Sequence, residues 1–120
     1  MDFEDAIAAH TKWKVRLRTF LGGSGELLDP ATVARDNQCD LGKWIYGEGA
    51  RYASLPAYEQ LKTAHAKFHR CASQVVSAAK QGRSAEAHAM LEPGGEFGRL
   101  SNDTVTAIMQ MKRAAAKQTA

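Results

Sequence analysis

Apolar residues along this chain return at steps of three and four, the spacing that gathers side chains on one face of an α-helix. Phe3, Ile7, His10, Leu17 and Leu21 form the first such stripe, and the helix it predicts runs to about Leu21. Asp2 stands ahead of it as an N-cap, a short carboxylate able to accept from the free N–H groups of the first turn. Gly22-Gly23-Ser24-Gly25 closes the helix, since glycine enters turn geometry at no steric cost. Asp29-Pro30 reads as the N-cap and first position of a short second helix. From 37 to 49 the periodicity lapses and Gly42, Gly47 and Gly49 punctuate the chain, which predicts a loop with one helical turn.

A long helix opens at Ser54-Leu55-Pro56 and carries Tyr58, Leu61, His65, Phe68, Ala72, Val75 and Ala79 on one stripe, with Gly82 as its stop. Residues 84–92 are helical by propensity, and Phe97, Leu100, Thr104, Ile108 and Met111 mark a last stripe. Pro93-Gly94-Gly95 separates the two, and both a kink and a turn are open to it. No segment alternates like a strand. The expected fold is all-α: an antiparallel four-helix bundle with a short extra helix or loop, forming a single domain over 1–120.

Composition leaves that picture intact. The chain is 44% hydrophobic and 24% charged, as a globular domain is. No apolar run approaches the roughly 18 residues of a membrane span. The start, Met1-Asp2-Phe3-Glu4-Asp5, is acidic where a secretory leader would be basic. A cytoplasmic location follows as an expectation, and the native-looking Met1 favours a stand-alone protein. The net charge is +3, with basic residues gathered at Lys12, Lys14, Arg16 and Arg18 and again at Lys112, Arg113 and Lys117. These read as solvated helix faces, so neither nucleic acid nor a membrane is an expected partner. Two cysteines, Cys39 and Cys71, are too few for a disulfide framework, which turns attention to metal or redox chemistry.

That chemistry starts at His65-Ala66-Lys67-Phe68-His69, where imidazoles four apart project from one side of a helix and can share a metal ion. Ala66 occupies the position at which a zinc protease carries its glutamate base. No histidine follows a glutamate by three residues, as di-iron bundles require. His10 lies in register with Ile7 and Leu17 and points at the core, either as a histidine satisfied by one hydrogen bond or as a third nitrogen donor. Cys39 would supply a soft fourth donor or serve as a small buried hydrophobe. Three neutral imidazoles and one thiolate around Zn²⁺ would leave a charge of +1.

The stretch Cys39-Asp40-Leu41-Gly42-Lys43-Trp44 decides between these readings. It resembles the Cys-x-Leu-Gly-x-Trp hallmark of the chemoreceptor zinc-binding (CZB) domain family. His10 matches that family's first-helix histidine, His65 and His69 match its His-x-x-x-His pair, and the similarity runs from about Phe3 to Ala79. The resemblance implies a zinc ion held by His10, Cys39, His65 and His69. It also implies a sensory or regulatory module that reports zinc, or an oxidant such as hypochlorous acid, to a chemoreceptor or diguanylate cyclase. It implies a homodimer and no catalysis. Gly42 suits a close backbone approach, and Trp44 offers a broad face to cover the metal. Asp40 has two roles open to it, hydrogen-bonding a histidine from behind or capping the following helix. Trp13 and Tyr46 are expected in core and rim packing, His88 at the surface, and Cys71 turned away from the metal. A catalytic zinc bundle and a plain helical interaction module stand as alternatives.

Overall fold

In the computed structural model, which describes residues 1–23 and 27–119, helices account for all regular structure among the described residues. They are α1 (Phe3–Leu21), α2 (Pro30–Val33), α3 (Asp40–Tyr46), a 3₁₀ turn (Glu48–Tyr52), α4 (Pro56–Lys80), α5 (Ser84–Leu91) and α6 (Glu96–Thr119). The all-α expectation holds.

Helix ends follow local chemistry. Asp2 caps α1 by accepting from the backbone N–H groups of Glu4 and Asp5, and Asp29 does the same for Thr32 in α2. Pro30 and Pro56 each begin a helix, where the missing N–H costs nothing. Past α4, Gly82 has φ +79°, and the Arg83 and Gly82 amides donate back to Ala78 and Ala79. This pair of bonds satisfies two carbonyls that the helix end leaves open. Pro93-Gly94-Gly95 is a turn between two separate helices, with Gly94 at φ +81°. The first helix ends at Gly22 and Gly23; Ser24 and Gly25 lie outside the described residues.

The segment expected to be a loop with one helical turn is instead the seven-residue α3 followed by the 3₁₀ turn. Gly47 separates the two, while Gly42 and Gly49 let the segment pack. Gly42 is buried inside α3, and Gly49 sits so close to the Trp44 ring that a β-carbon would be 2.7 Å from it. Periodicity fails to register the helix because it is only two turns long.

α4 is the central element, packing against α1, α2, α3, α5 and α6, while α6 also lies on α1. Every member of the α4 stripe named above is buried except Ala79, which is half-buried. In α1 the deeply buried positions are Ala6, His10, Trp13 and Leu17, a stripe turned slightly from the expected one, since Phe3, Ile7 and Leu21 are only half-buried. Two apolar clusters make up the core. One joins Trp13, Leu17, Phe68, Val75 and Phe97; the other joins Ala6, Leu41, Ile45, Leu61, Ile108 and Met111. His10 along α1 and His65 along α4 fall at the boundary between these clusters. His10 follows Ala6 and precedes Trp13, and His65 lies between Leu61 and Phe68.

Candidate metal centre

Three elements bring four donors to that boundary. α1 carries His10, α4 carries His65 and His69, and Cys39 sits at the N-cap of α3. One donor atom from each lies within 4.8 Å of the others. The Cys39 Sγ is 3.3 Å from His65 Nε2 and 3.8 Å from His69 Nε2, and the two Nε2 atoms are 3.0 Å apart. A tetrahedral zinc ion with ordinary bond lengths would separate two nitrogens by about 3.4 Å and a nitrogen from a sulfur by about 3.6 Å. The two sulfur–nitrogen separations straddle the second value, and the nitrogen–nitrogen separation falls a few tenths of an ångström short of the first.

Nitrogen tautomers point the same way. His10 Nδ1 donates to the Ala6 carbonyl at 2.8 Å, and His69 Nδ1 donates to the Val33 carbonyl at 3.0 Å. A carbonyl can only accept, so each Nδ1 carries the proton and each Nε2 presents a lone pair to the cluster. His10 Nε2 is buried with no hydrogen-bond partner, an arrangement that costs free energy unless something electropositive meets it. The residues therefore fit a zinc ion: soft and borderline donors, four in number, with the Nε2 lone pairs of His10 and His69 left free by their Nδ1 bonds and His10 Nε2 otherwise orphaned. His65 Nδ1 is likewise buried without a partner, on the side away from the cluster.

Electrostatics keep the imidazoles neutral. Burial pulls His65 down to about 2, aided by the neighbouring His69 and His10. Burial also lowers His10 and His69, partly opposed by their bonds to Ala6 and Val33. Neutral imidazole is the form that binds metal. Burial raises the Cys39 thiol, while the Gly42 N–H, donating to Sγ at 3.4 Å, works in the opposite direction. A cation at the cluster would supply what the thiol lacks, since a coordinating thiol gives up its proton.

Other expectations resolve around this cluster. Asp40 plays neither of its two roles: it is exposed in the first turn of α3, the cap is Cys39, and backbone carbonyls stand behind His10 and His69. Those carbonyls carry no signature that a sequence can reveal. Trp44 packs edge-on to Phe3 and stacks on Tyr52, whereas the rings that meet site histidines are Phe68, 5.1 Å from His10 and 5.6 Å from His69, and Trp13, 6.2 Å from His69. Tyr46 is a half-exposed rim residue whose hydroxyl donates to Asp36 at 2.6 Å. His88 is exposed. Cys71 is buried in the Trp13–Phe97 cluster, outside the donor group, and its thiol is pushed up to about 12 by burial and by Glu96.

A family model described as the chemoreceptor zinc-binding domain matches residues 10–76, more than half the chain and a span that contains all four donors. No curated protein and no solved structure matches the chain.

Proposed function

This chain belongs to the chemoreceptor zinc-binding domain family, and from that premise we propose that it is a regulatory zinc-binding domain whose signal is the state of a single zinc-thiolate centre. The observation that carries the reading is the convergence of one donor atom each from His10, Cys39, His65 and His69 within 4.8 Å of one another at the junction of two core clusters. When bound there, zinc ties α1, α3 and α4 together and holds Cys39 as a thiolate.

The scaffold we propose for the centre is an antiparallel four-helix bundle built from α1, α4, α5 and α6; the packing of α4 on the other three supports it. Cys39 is the responsive element. Oxidation by hypochlorous acid transfers two electrons from its sulfur to chlorine, which leaves as chloride, while the oxygen stays on sulfur as a sulfenic acid. That product is a poorer ligand than thiolate, so the link between α3 and α4 loosens and the change passes to a partner. The partner is a chemoreceptor or a diguanylate cyclase, joined to this domain or met as a separate protein, and the domain acts as a homodimer in the cytoplasm. We propose no catalytic role. Four protein donors complete a tetrahedron, and Ala66 stands where a helix-borne base would follow His65.

The experiment is metal content by elemental mass spectrometry on protein purified without added metal or chelator, alongside Cys39→Ala. About one zinc per chain, sharply reduced in the variant, is the expected result. Absence of zinc after reconstitution would leave the donors as a structural cluster and overturn the reading.

A further inference from the structure

Two openings reach the centre from the surface, and their charges differ. The first is a cleft of about 420 Å³ between the N-terminal half of α1 and the α3 segment, with His10 and Cys39 among its lining residues. Four carboxylates stand around it, from Asp2, Asp5, Asp40 and Glu48, against two ammonium groups, those of Lys43 and the Met1 amino terminus. All four are exposed. The second opening reaches Cys39 and His69 past Arg16 and Arg35, with Asp29 the acidic residue on its wall. His65 lines neither opening and is fully buried.

An acidic rim alone would mean little. Here it surrounds a cleft whose lining includes His10, a side chain 2% exposed with an unpartnered Nε2. His10 Nδ1 is bonded back to Ala6 on its own helix, which turns Nε2 away from α1 and towards the other donors. The cleft thus runs from a region of negative potential to a buried nitrogen lone pair and a thiol. A dication meets attraction along that path, whereas the arginine-flanked opening repels it.

We propose that the acidic cleft is the route by which a divalent cation reaches the centre, with Asp5, Asp40 and Glu48 gathering it and His10 and Cys39 receiving it first. Asp2 adds to the same field but also caps α1, so the test leaves it in place and varies the other three. The inference rests on the zinc-binding reading above and adds that loading is electrostatically steered through one face of the molecule.

The test is the association rate of Zn²⁺ with the metal-free, reduced protein, followed by stopped-flow competition with a fluorescent chelator at several ionic strengths. The variants are Asp5→Asn/Asp40→Asn/Glu48→Gln, the single Glu48→Lys, and Arg35→Gln at the other opening. The triple variant should bind one zinc per chain but load roughly tenfold more slowly at low salt, with a flattened salt dependence. Glu48→Lys should slow loading in the same direction, providing a reading if the triple variant folds poorly, and Arg35→Gln should load no more slowly than wild type. Equal rates and equal salt dependence for wild type and both acidic-cleft variants, with stoichiometric zinc in each, would overturn the route while leaving the centre standing. Faster loading by Arg35→Gln, with both acidic-cleft variants at the wild-type rate, would instead assign access to the other opening. A wild-type protein that takes up no zinc would overturn both.

Discussion

Gly42 lies so close to the turn before α3 that a β-carbon would overlap the carbonyl of Asp36 and stand 2.9 Å from the Asn37 α-carbon. This approach seats the 36–37 backbone on α3 and thereby holds Cys39, which caps that helix, against α4. Gly42→Ala must therefore push backbone apart rather than displace a flexible side chain. We expect it to cost about 1–3 kcal/mol in denaturant unfolding and to weaken zinc binding. Gly98→Ala is the contrast: it lies in α6 with open space around it, and should stabilise by roughly 0.5–1 kcal/mol.

Removing the thiolate should separate metal binding from folding. Loss of contacts behind metal ligands typically costs 10- to 100-fold in affinity, so Cys39→Ala should lose more than about a hundredfold. Helix content by circular dichroism should stay near wild type, because both core clusters persist without the half-buried sulfur. Unchanged zinc affinity in this variant would rule out Cys39 as a ligand.

The metal-free protein should lose stability on mild acidification. His10, His65 and His69 have folded pKa values below the unfolded value of 6.5, all three chiefly through burial. Below pH 6.5 the unfolded chain binds protons that the folded one refuses, so stability is full above that pH and falls beneath it. Each histidine that remains neutral contributes a loss of roughly 1.4 kcal/mol per pH unit. Urea midpoints from pH 8 to pH 5 would measure this; a flat profile would mean that the imidazoles are not held neutral.

The two thiols should differ in reactivity. Iodoacetamide should modify Cys39 in the folded metal-free protein and be blocked there by saturating zinc. Cys71, 2% exposed and raised to about 12, should react only on unfolding. Peptide mass spectrometry distinguishes them. Modification of Cys71 under native conditions would contradict its place in the core.

Tyr58 offers a probe of stability remote from the donors. Its buried hydroxyl donates to the Ile45 carbonyl at 2.6 Å, linking α4 to α3. Tyr58→Phe leaves that carbonyl without its partner and should cost about 1–3 kcal/mol. One zinc per chain should still bind.

Much of this molecule could be read along the chain. The helix caps at Asp2 and Asp29, the α4 stripe from Tyr58 to Val75 and the stop at Gly82 are local, depending on a few neighbouring residues and the period of the helix. The candidate donors could also be picked out, because histidine spacing and the Cys-x-Leu-Gly-x-Trp run are properties of order in the chain. Tertiary structure decided the rest. α3 is too short for periodicity to register, and it forms where Gly42 can meet Asp36. The partners behind His10 and His69 are backbone carbonyls, which every residue possesses, so only the fold selects Ala6 and Val33. Asp40, chosen for its chemistry, faces solvent instead. The carboxylates of Asp5 and Glu48 share one cleft although more than forty residues separate them in sequence, because α1 and the α3 segment come together there. Local order names the chemical groups; long-range packing determines which of them meet.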